Sequence, residues 1–146
     1  MSRLASSKLA WLSPRPGLEK FAPETRCNHS FTLLPPHLNA GVAVMWGGRL
    51  LSGQHSKELF RLEIGDMNIP RPGVFQWINQ PQNPSSRAPD AREGHSATVF
   101  RRSLVIFGGL GPHGLYNDVA ALDLATMEWG VPPVIGSPPL RRFCHA

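Results

Sequence analysis

Short apolar runs, each ended by glycine or another turn-forming residue, recur along the 146-residue chain. Residues 103–109 (SLVIFGG) are mostly apolar up to two adjacent glycines, residues 117–124 (NDVAALDL) alternate, and residues 126–129 (TMEW) end on tryptophan. Apolar runs of about four to eight residues and alternation with a period of two are both typical of β-strands. Because glycine and proline interrupt every longer run, the pattern predicts short strands rather than long helices.

The same order of runs occurs earlier in the chain. Residues 42–48 (VAVMWGG) match the glycine-ended run, residues 57–64 (KELFRLEI) match the alternating run without a gap, and residues 74–77 (VFQW) match the tryptophan end. The first copy has 14 more residues between its histidine and its tryptophan, five before the glycine pair and nine after it. Since loops tolerate insertions far better than strands do, the two copies are predicted to share one scaffold.

A further set of matching positions joins the copies. Three segments read Pro-x-x-Arg-x-x-His, and they lie at residues 23–29, 89–95 and 139–145. A tryptophan precedes each of their histidines, by 18 residues for Trp11 and Trp77 and by 16 residues for Trp129. Each unit therefore contains four predicted strands, and four strands in about 50 residues form one blade of a β-propeller.

These repeated positions resemble kelch repeats. The matching features are the glycine pairs, the tryptophans downstream of them, the Pro-x-x-Arg-x-x-His segments and the Asn117-Asp118 pair of the second copy. The resemblance covers about residues 9–146, closely in the second copy and more loosely in the first, and its style is similar to F-box–kelch and related scaffold proteins. It implies an all-β fold, an incomplete kelch-type β-propeller of about two four-stranded antiparallel blades plus remnants of flanking blades.

The resemblance also implies a division of the chain. Residues 1–22 are expected to be an N-terminal remnant with the last strand of a preceding blade, and residues 23–88 the first kelch repeat with its loop insertions. Residues 89–138 are expected to be the second repeat and residues 139–146 the truncated start of a third. Because propellers close with about four to eight blades, we expect a fragment or truncated gene product that self-associates through open blade edges.

Twelve repeated positions are predicted to be structural. Glycine allows unusual backbone angles and close approach, and no Gly-x-Gly-x-x-Gly or Gly-Lys-Ser/Thr sequence indicates a phosphate loop. The tryptophans suit packing between blades, and histidines on successive blades do not converge on one metal ion. The arginines are expected to hydrogen-bond loop carbonyls or an acidic residue of a neighbouring blade, with Glu58 and Asp118 as candidates. The positions are Arg26, His29, Gly47, Gly48, Trp77, Arg92, His95, Gly108, Gly109, Trp129, Arg142 and His145.

Charge and cysteine content limit the classes of function. The net charge of +5 comes from scattered arginines that form no basic stripe, so no nucleic-acid partner is expected. No apolar stretch approaches the roughly 20 residues of a membrane-spanning helix, so no membrane is expected either. The two cysteines give neither a disulfide framework nor a metal-ligand spacing. A cytoplasmic or nuclear location is therefore expected, with a mitochondrial one as the alternative because the N-terminus is basic and serine-rich.

No group of residues indicates catalysis, and neither a metal nor a cofactor is expected. Ser96 merely follows His95 in a strand, without a third group to orient a nucleophilic pair. Asp118 and Asp123 lie five positions apart along one strand and so face opposite sides. Tyr116 is the only tyrosine, so the tyrosine chemistry of kelch-like copper oxidases does not carry over. The chain is not expected to be an enzyme.

The remaining expectation is a protein–protein interaction module that presents propeller loops to a protein partner, as a scaffold or in substrate recognition. The contact loops are predicted at residues 49–56, 79–91 and 110–116. The alternatives are an accessory kelch part of a larger enzyme, such as a methyltransferase–kelch fusion, or a fragment without function. The residues with the chemistry of an interface are Arg49, His55, Arg87, His113 and Tyr116.

Overall fold

Two four-stranded antiparallel sheets make up most of the computed structural model, which describes residues 22–39, 41–64 and 75–145. The first sheet consists, in spatial order, of β2 (Ser30–Leu33), β3 (Val42–Trp46), β5 (Leu59–Ile64) and β6 (Phe75–Asn79). The second consists, in the corresponding spatial order, of β7 (Ser96–Phe100), β8 (Ser103–Phe107), β11 (Val119–Asp123) and β12 (Glu128–Gly130).

Smaller elements connect these strands. β1 (Arg26–Cys27) pairs with β4 (Arg49–Leu50), and β9 (Leu110–Gly111) pairs with β10 (Gly114–Leu115). The one helix of the described residues, α1 (Pro36–Asn39), lies in the connection between β2 and β3. The predicted all-β class with four-stranded antiparallel sheets is therefore confirmed, and the sheets form no closed ring within the described residues.

The two sheets accommodate insertions differently at equivalent turns. Arg101 and Arg102 alone connect β7 to β8, whereas the first sheet has five more residues between its histidine and its glycine pair. These extra residues form α1, since the amides of Leu38 and Asn39 both donate to the Pro35 carbonyl. The prolines at 35 and 36 suit the start of a helical turn, because proline is tolerated where no backbone donor is needed.

The hydrophobic core lies between the two sheets. One face of the first sheet packs against the opposite face of the second, and the Trp46 and Trp129 rings lie 5.2 Å apart. Trp46 is completely buried and Trp129 nearly so. The buried side chains of this interface are Leu34, Val42, Val44, Trp46, Leu59, Leu104, Ile106, Ala120, Leu122 and Trp129. Burying each large apolar side chain contributes about 1.5–3 kcal/mol, so the packing of one sheet on the other stabilises the fold substantially.

Trp77 occupies the same repeat position as Trp129 but has a different environment. In the part of the chain that the structure describes, its ring packs on Phe31 of its own sheet, 6.1 Å away, and it is only half-buried. Trp77 therefore does not lie between the two described sheets. The reason is geometric. The two tryptophans lie on equivalent faces of their own sheets. In the second sheet this face points toward the first sheet, and in the first sheet it points away from the second.

Three of the sequence predictions either concern residues outside the described ranges or are not tested by the described residues. Trp11 and the last strand of a preceding blade fall within residues 1–21, and most of the extra residues between β5 and β6 fall within residues 65–74. The proline-to-proline limits of the repeats stay predictions.

We predict that Trp46→Ala lowers the free energy of unfolding by about 3–5 kcal/mol, because a fully buried aromatic ring leaves a cavity between the sheets. Trp77→Ala is the matched control and should cost less than half as much, since its ring is partly solvated. Urea unfolding followed by circular dichroism measures both. If Trp46→Ala does not fold, Trp46→Phe gives a smaller loss in the same direction. Equal losses for the two alanine variants would contradict the central position of Trp46.

Candidate functional site

The glycine pairs and the predicted contact loops lie at the same end of the two sheets. β3 and β8 stop there at their glycine pairs, and β5 and β11 start there. We call this the glycine end. The opposite end, called here the hairpin end, carries α1, the Arg101–Arg102 turn and the turn between β11 and β12.

The first glycine pair is covered by the next Pro-x-x-Arg-x-x-His segment. Gly48 donates its amide to the Arg92 carbonyl at 2.8 Å. Both glycines have positive φ, 72° for Gly47 and 95° for Gly48. A Cβ atom on Gly47 would lie 2.8 Å from the Arg92 carbonyl oxygen and 3.0 Å from the His95 ring. Any larger residue would therefore clash with the segment that follows, which explains the glycine better than a phosphate loop does.

The second glycine pair repeats this geometry. Gly109 donates its amide to the Arg142 carbonyl at 2.8 Å. A Cβ atom on Gly108 would lie 2.8 Å from that carbonyl oxygen and 3.0 Å from the His145 ring. The same backbone hydrogen bond and the same steric limit thus occur at residues 47–48 and at residues 108–109. Each glycine pair therefore packs closely against the Pro-x-x-Arg-x-x-His segment of the next repeat and is hydrogen-bonded to it.

A chain of backbone hydrogen bonds, which sequence reasoning missed, links the three segments. The Gly94 amide donates to the Asn28 carbonyl at 2.9 Å, and the Cys144 amide donates to the Gly94 carbonyl at 2.7 Å. All three residues precede the histidine of their segment and have φ between 50° and 61°. This left-handed conformation is rare for a cysteine, whereas asparagine and glycine adopt it readily.

The histidines join each segment to the sheet before it. The His95 ring meets the Trp46 ring edge-on at 4.8 Å, and its Nε2 is hydrogen-bonded with the Ser30 hydroxyl at 3.0 Å. The His145 ring meets Phe107 at 5.4 Å, and its Nε2 is hydrogen-bonded with a serine hydroxyl at 3.1 Å. The two histidines thus contact different serines on different sheets. Within residues 22–39, 41–64 and 75–145, no group of three or more His, Cys, Asp or Glu residues is arranged to hold a metal ion.

Burial controls the protonation of His95. It lowers the pKa of this imidazole from 6.5 to about 4, and the nearby charge of Arg92 adds to the effect. The ring is therefore neutral at pH 7, as suits a side chain held against the Trp46 indole.

The arginines of the segments hold their own repeat together. Arg92 is 1% exposed; it donates to both carboxylate oxygens of Asp118, at 2.5 and 2.9 Å, and to the Gly108 carbonyl at 2.9 Å. Arg26 likewise donates to Glu58 at 2.7 Å and to the Gly47 carbonyl at 3.1 Å.

Both expected acceptors, a loop carbonyl and a carboxylate, are therefore present, but both belong to the arginine's own repeat. The expectation of an acidic residue in a neighbouring blade is wrong for these two arginines. The acceptors Glu58 and Asp118 each lie directly before the third strand of the arginine's own sheet, β5 or β11, and the guanidinium reaches them there.

The side chain of Arg142, unlike that of Arg92, is exposed. Within the described residues its side chain donates only to the Leu140 carbonyl, at 3.0 Å.

Three of the five predicted contact residues are engaged in this framework. Arg49 and His55 both lie near the Glu93 carboxylate, with nitrogen–oxygen distances of 3.7 and 3.4 Å. Glu93 is nearly buried and also accepts a hydrogen bond from the Asn28 amide at 2.8 Å. The repeat pattern of the sequence did not reveal the role of the Glu93 carboxylate, because Glu93 occupies a variable position of its segment.

Tyr116 is the third engaged residue. Its hydroxyl donates to Asp90 at 3.0 Å, and its ring stacks on the Arg92 guanidinium, 4.0 Å from the centroid. Burial and the hydrogen bond to Asp90 raise the pKa of this phenol. Arg87 and His113, in contrast, have exposed side chains. Of the five residues, these two are therefore the most accessible, followed by Arg49, whose side chain is half exposed.

Each loop after a glycine pair is a short hairpin that stands on the glycine end. In the first, the Leu50 amide donates to the Gln54 carbonyl and the Gly53 amide to the Leu50 carbonyl, both at 2.9 Å. Leu51 is 82% exposed at its tip. In the second, β9 and β10 pair around His113. Sequence reasoning missed Leu51; the signal was an apolar residue in a loop otherwise rich in glycine, serine and polar residues.

We predict that Arg92→Ala lowers the free energy of unfolding by about 2–3 kcal/mol. This is less than the roughly 3–5 kcal/mol of a fully buried pair, because half of the Asp118 side chain is exposed to solvent. Arg142→Ala is the control from the same repeat position and should change stability by no more than about 0.5 kcal/mol. Urea unfolding of both variants measures the difference, and an equal effect would contradict the framework role of Arg92.

We also predict that the protein loses stability as the pH falls from about 6.5 to about 4. The pKa of His95 is about 4 in the folded chain and 6.5 as its ordinary value. The unfolded chain therefore binds the proton more readily, and protonation favours unfolding by up to about 3 kcal/mol over this window. Unfolding curves at half-unit pH steps should be flatter for His95→Gln than for the unchanged protein. Identical pH slopes would contradict the assignment.

Comparison with known proteins agrees with the geometry. A family model described as the KLHDC2/KLHL20/DRC7 Kelch-repeats domain matches residues 3–146. The chain is 35% identical to acyl-CoA-binding domain-containing protein 5 of Arabidopsis thaliana over 108 residues, which is 70% of the chain and 16% of that protein. It is 34% identical to Adagio-like protein 1 of Oryza sativa subsp. japonica over 125 residues, 84% of the chain and 18% of that protein.

A third relative is Kelch domain-containing protein 3 of Bos taurus, 28% identical over 132 residues, 89% of the chain and 31% of that protein. The chain thus spans less than a third of the length of each of these relatives. The family model covers nearly the whole chain, including both four-stranded sheets. The chain belongs to the kelch-repeat family.

Proposed function

We propose that the glycine end is a protein-binding surface, and that the chain serves as a scaffold or substrate-recognition part of a larger protein. Kelch repeat domains generally mediate protein–protein interaction, and the family is generally non-enzymatic. The observation that carries the proposal is the pair of hairpins, residues 49–56 and 110–116, which stand on a framework fixed by the Arg26–Glu58 and Arg92–Asp118 ion pairs. No helix in the described part of the chain is long and apolar enough to cross a membrane.

The hairpin side chains have the composition of a contact surface. Leu51 is 82% exposed and Leu115 is 37% exposed, so each hairpin presents an apolar residue. Arg49 and His113 supply polar and charged groups beside them. Protein interfaces commonly combine a few apolar or aromatic anchors with a polar rim. The surface therefore suits a protein partner with an apolar patch bordered by hydrogen-bond acceptors or carboxylates.

Rigid support of the hairpins adds to the case for binding. Arg49 and His55, at the base of the first hairpin, lie against Glu93. Tyr116, at the base of the second, is fixed by Asp90 and Arg92. Loops that are fixed before binding lose less conformational entropy when the partner arrives, so more of the contact energy appears as affinity.

Self-association is the second candidate, because the first sheet exposes apolar residues on its far face. Phe31 is 51% and Leu33 is 62% exposed within the described residues. Exposed apolar residues that lie together on a sheet favour contact with another protein surface. A second copy of the chain is one such surface.

We predict that a photo-reactive benzoylphenylalanine placed at Leu51 or at His113 cross-links the chain to a protein partner in cells. The same group at Thr126, an exposed position of the hairpin end, is the control and should give no such product. The captured protein is identified by mass spectrometry and purified. Leu51→Ser should then weaken its binding at least tenfold, equivalent to about 1.4 kcal/mol, in fluorescence anisotropy.

Three results would argue against this proposal. Cross-links from Thr126 alone, or an unchanged affinity of Leu51→Ser, would contradict binding at the glycine end. A product of twice the mass of the chain would instead support self-association.

A further inference from the structure

A groove opens between the two sheets at the hairpin end, opposite the surface proposed above. Its volume is about 490 Å³, within the range of about 300–1,000 Å³ of ligand-binding clefts. One side is formed by the end of β2 and by α1, and the other by β7 and the turn after it. The lining residues that matter here are Leu34, Pro35, Pro36, Val99 and Arg101.

The strands on both sides of the groove are edge strands. β2 pairs only with β3, and β7 pairs only with β8, among the residues that the structure describes. The outer edge of such a strand carries a row of backbone N–H and C=O groups that can pair with another chain. An extended peptide can use such an edge as an additional strand.

The groove offers an apolar floor next to these edges. Leu34 is buried beneath it, and Val99 packs on the core between the sheets. Pro36 belongs to the insertion that forms α1, so this wall exists only in the first repeat. The floor and the walls therefore suit an apolar side chain.

Arg101 supplies a charge at the rim. Its neighbour Arg102 donates to Asp123 at 2.9 Å, whereas Arg101 makes no ion pair within the described residues. The Arg101 guanidinium carbon lies 5.4 Å from the centre of the Phe100 ring, in range of a cation–π contact. No aspartate or glutamate lines the groove. The charge that would complement this rim is a carboxylate.

We propose that the groove binds an extended peptide segment of another protein. The peptide backbone pairs with β2 or β7, an apolar side chain enters the groove, and an acidic side chain beyond it pairs with Arg101. The surface lies at the opposite end of the sheets from the glycine end, so it is a second binding site and does not depend on the function proposed above.

The test uses blocked, fluorescein-labelled octapeptides in which leucine and aspartate are separated by one to three residues. Two matched panels replace aspartate by asparagine or leucine by glycine. Fluorescence anisotropy with the full chain should show saturable binding of at least one Leu/Asp peptide, and both replacements should weaken it at least fivefold. Arg101→Gln should weaken the Leu/Asp peptide to the affinity of the Leu/Asn peptide.

Two variants complete the experiment. Arg141→Gln removes an exposed arginine at the glycine end and should leave peptide binding unchanged. Val99→Thr replaces one methyl group of the groove floor by a hydroxyl and should weaken the Leu/Asp and Leu/Asn peptides alike, because it acts on the apolar contact. The proposal is overturned if no peptide of the panel saturates, if aspartate and asparagine peptides bind equally, or if Arg141→Gln weakens binding as much as Arg101→Gln.

Discussion

The close passage of each Pro-x-x-Arg-x-x-His segment over the preceding glycine pair is the constraint on which the rest of the structure depends. The carbonyl of Arg92 can accept the Gly48 amide only because Gly47 has no Cβ, which would lie 2.8 Å from that carbonyl oxygen. From that position the arginine turns toward its own sheet and the histidine toward the sheet before it. One segment therefore joins two repeats, and the stacking of the tryptophan core follows from the same register.

This division of labour explains why the loops can vary without loss of the fold. The framework contacts use the backbone of the segment, the guanidinium of Arg92 and the imidazole of His95, and none of them involves a hairpin tip. The first copy adds five residues at the hairpin end as α1, and the sheets still pack face to face. Side chains at the tips, such as Leu51 and His113, make no contribution to that packing. The fold therefore does not constrain which residues occupy the tips, and a partner can select them.

The sequence predicted the repeated parts of this arrangement and missed the parts that depend on neighbours. Glycine pairs and strand patterns recur at fixed spacing, so the four-stranded sheets could be read from the chain. The partner of Arg92 could not be assigned to a blade, because spacing alone does not say whether Asp118 lies on the same sheet or the next. Trp77 and Trp129 share a repeat position, yet only Trp129 has a described sheet beside it. Glu93, which binds Asn28, has no counterpart in the other segments, so no repeat signal indicated it.

The two proposed binding surfaces lie at opposite ends of the sheets and share no residue. The four antiparallel strands of each sheet extend between the glycine end and the hairpin end. The core between the two sheets is filled by large apolar side chains such as Trp46. Sites on such a framework that share no side chains contribute almost additively to binding. A partner held by the hairpins of the glycine end would leave the groove beside Arg101 open, since no residue belongs to both surfaces. Under the two proposals together, the chain would hold two proteins at once at a fixed separation, which is what a scaffold requires.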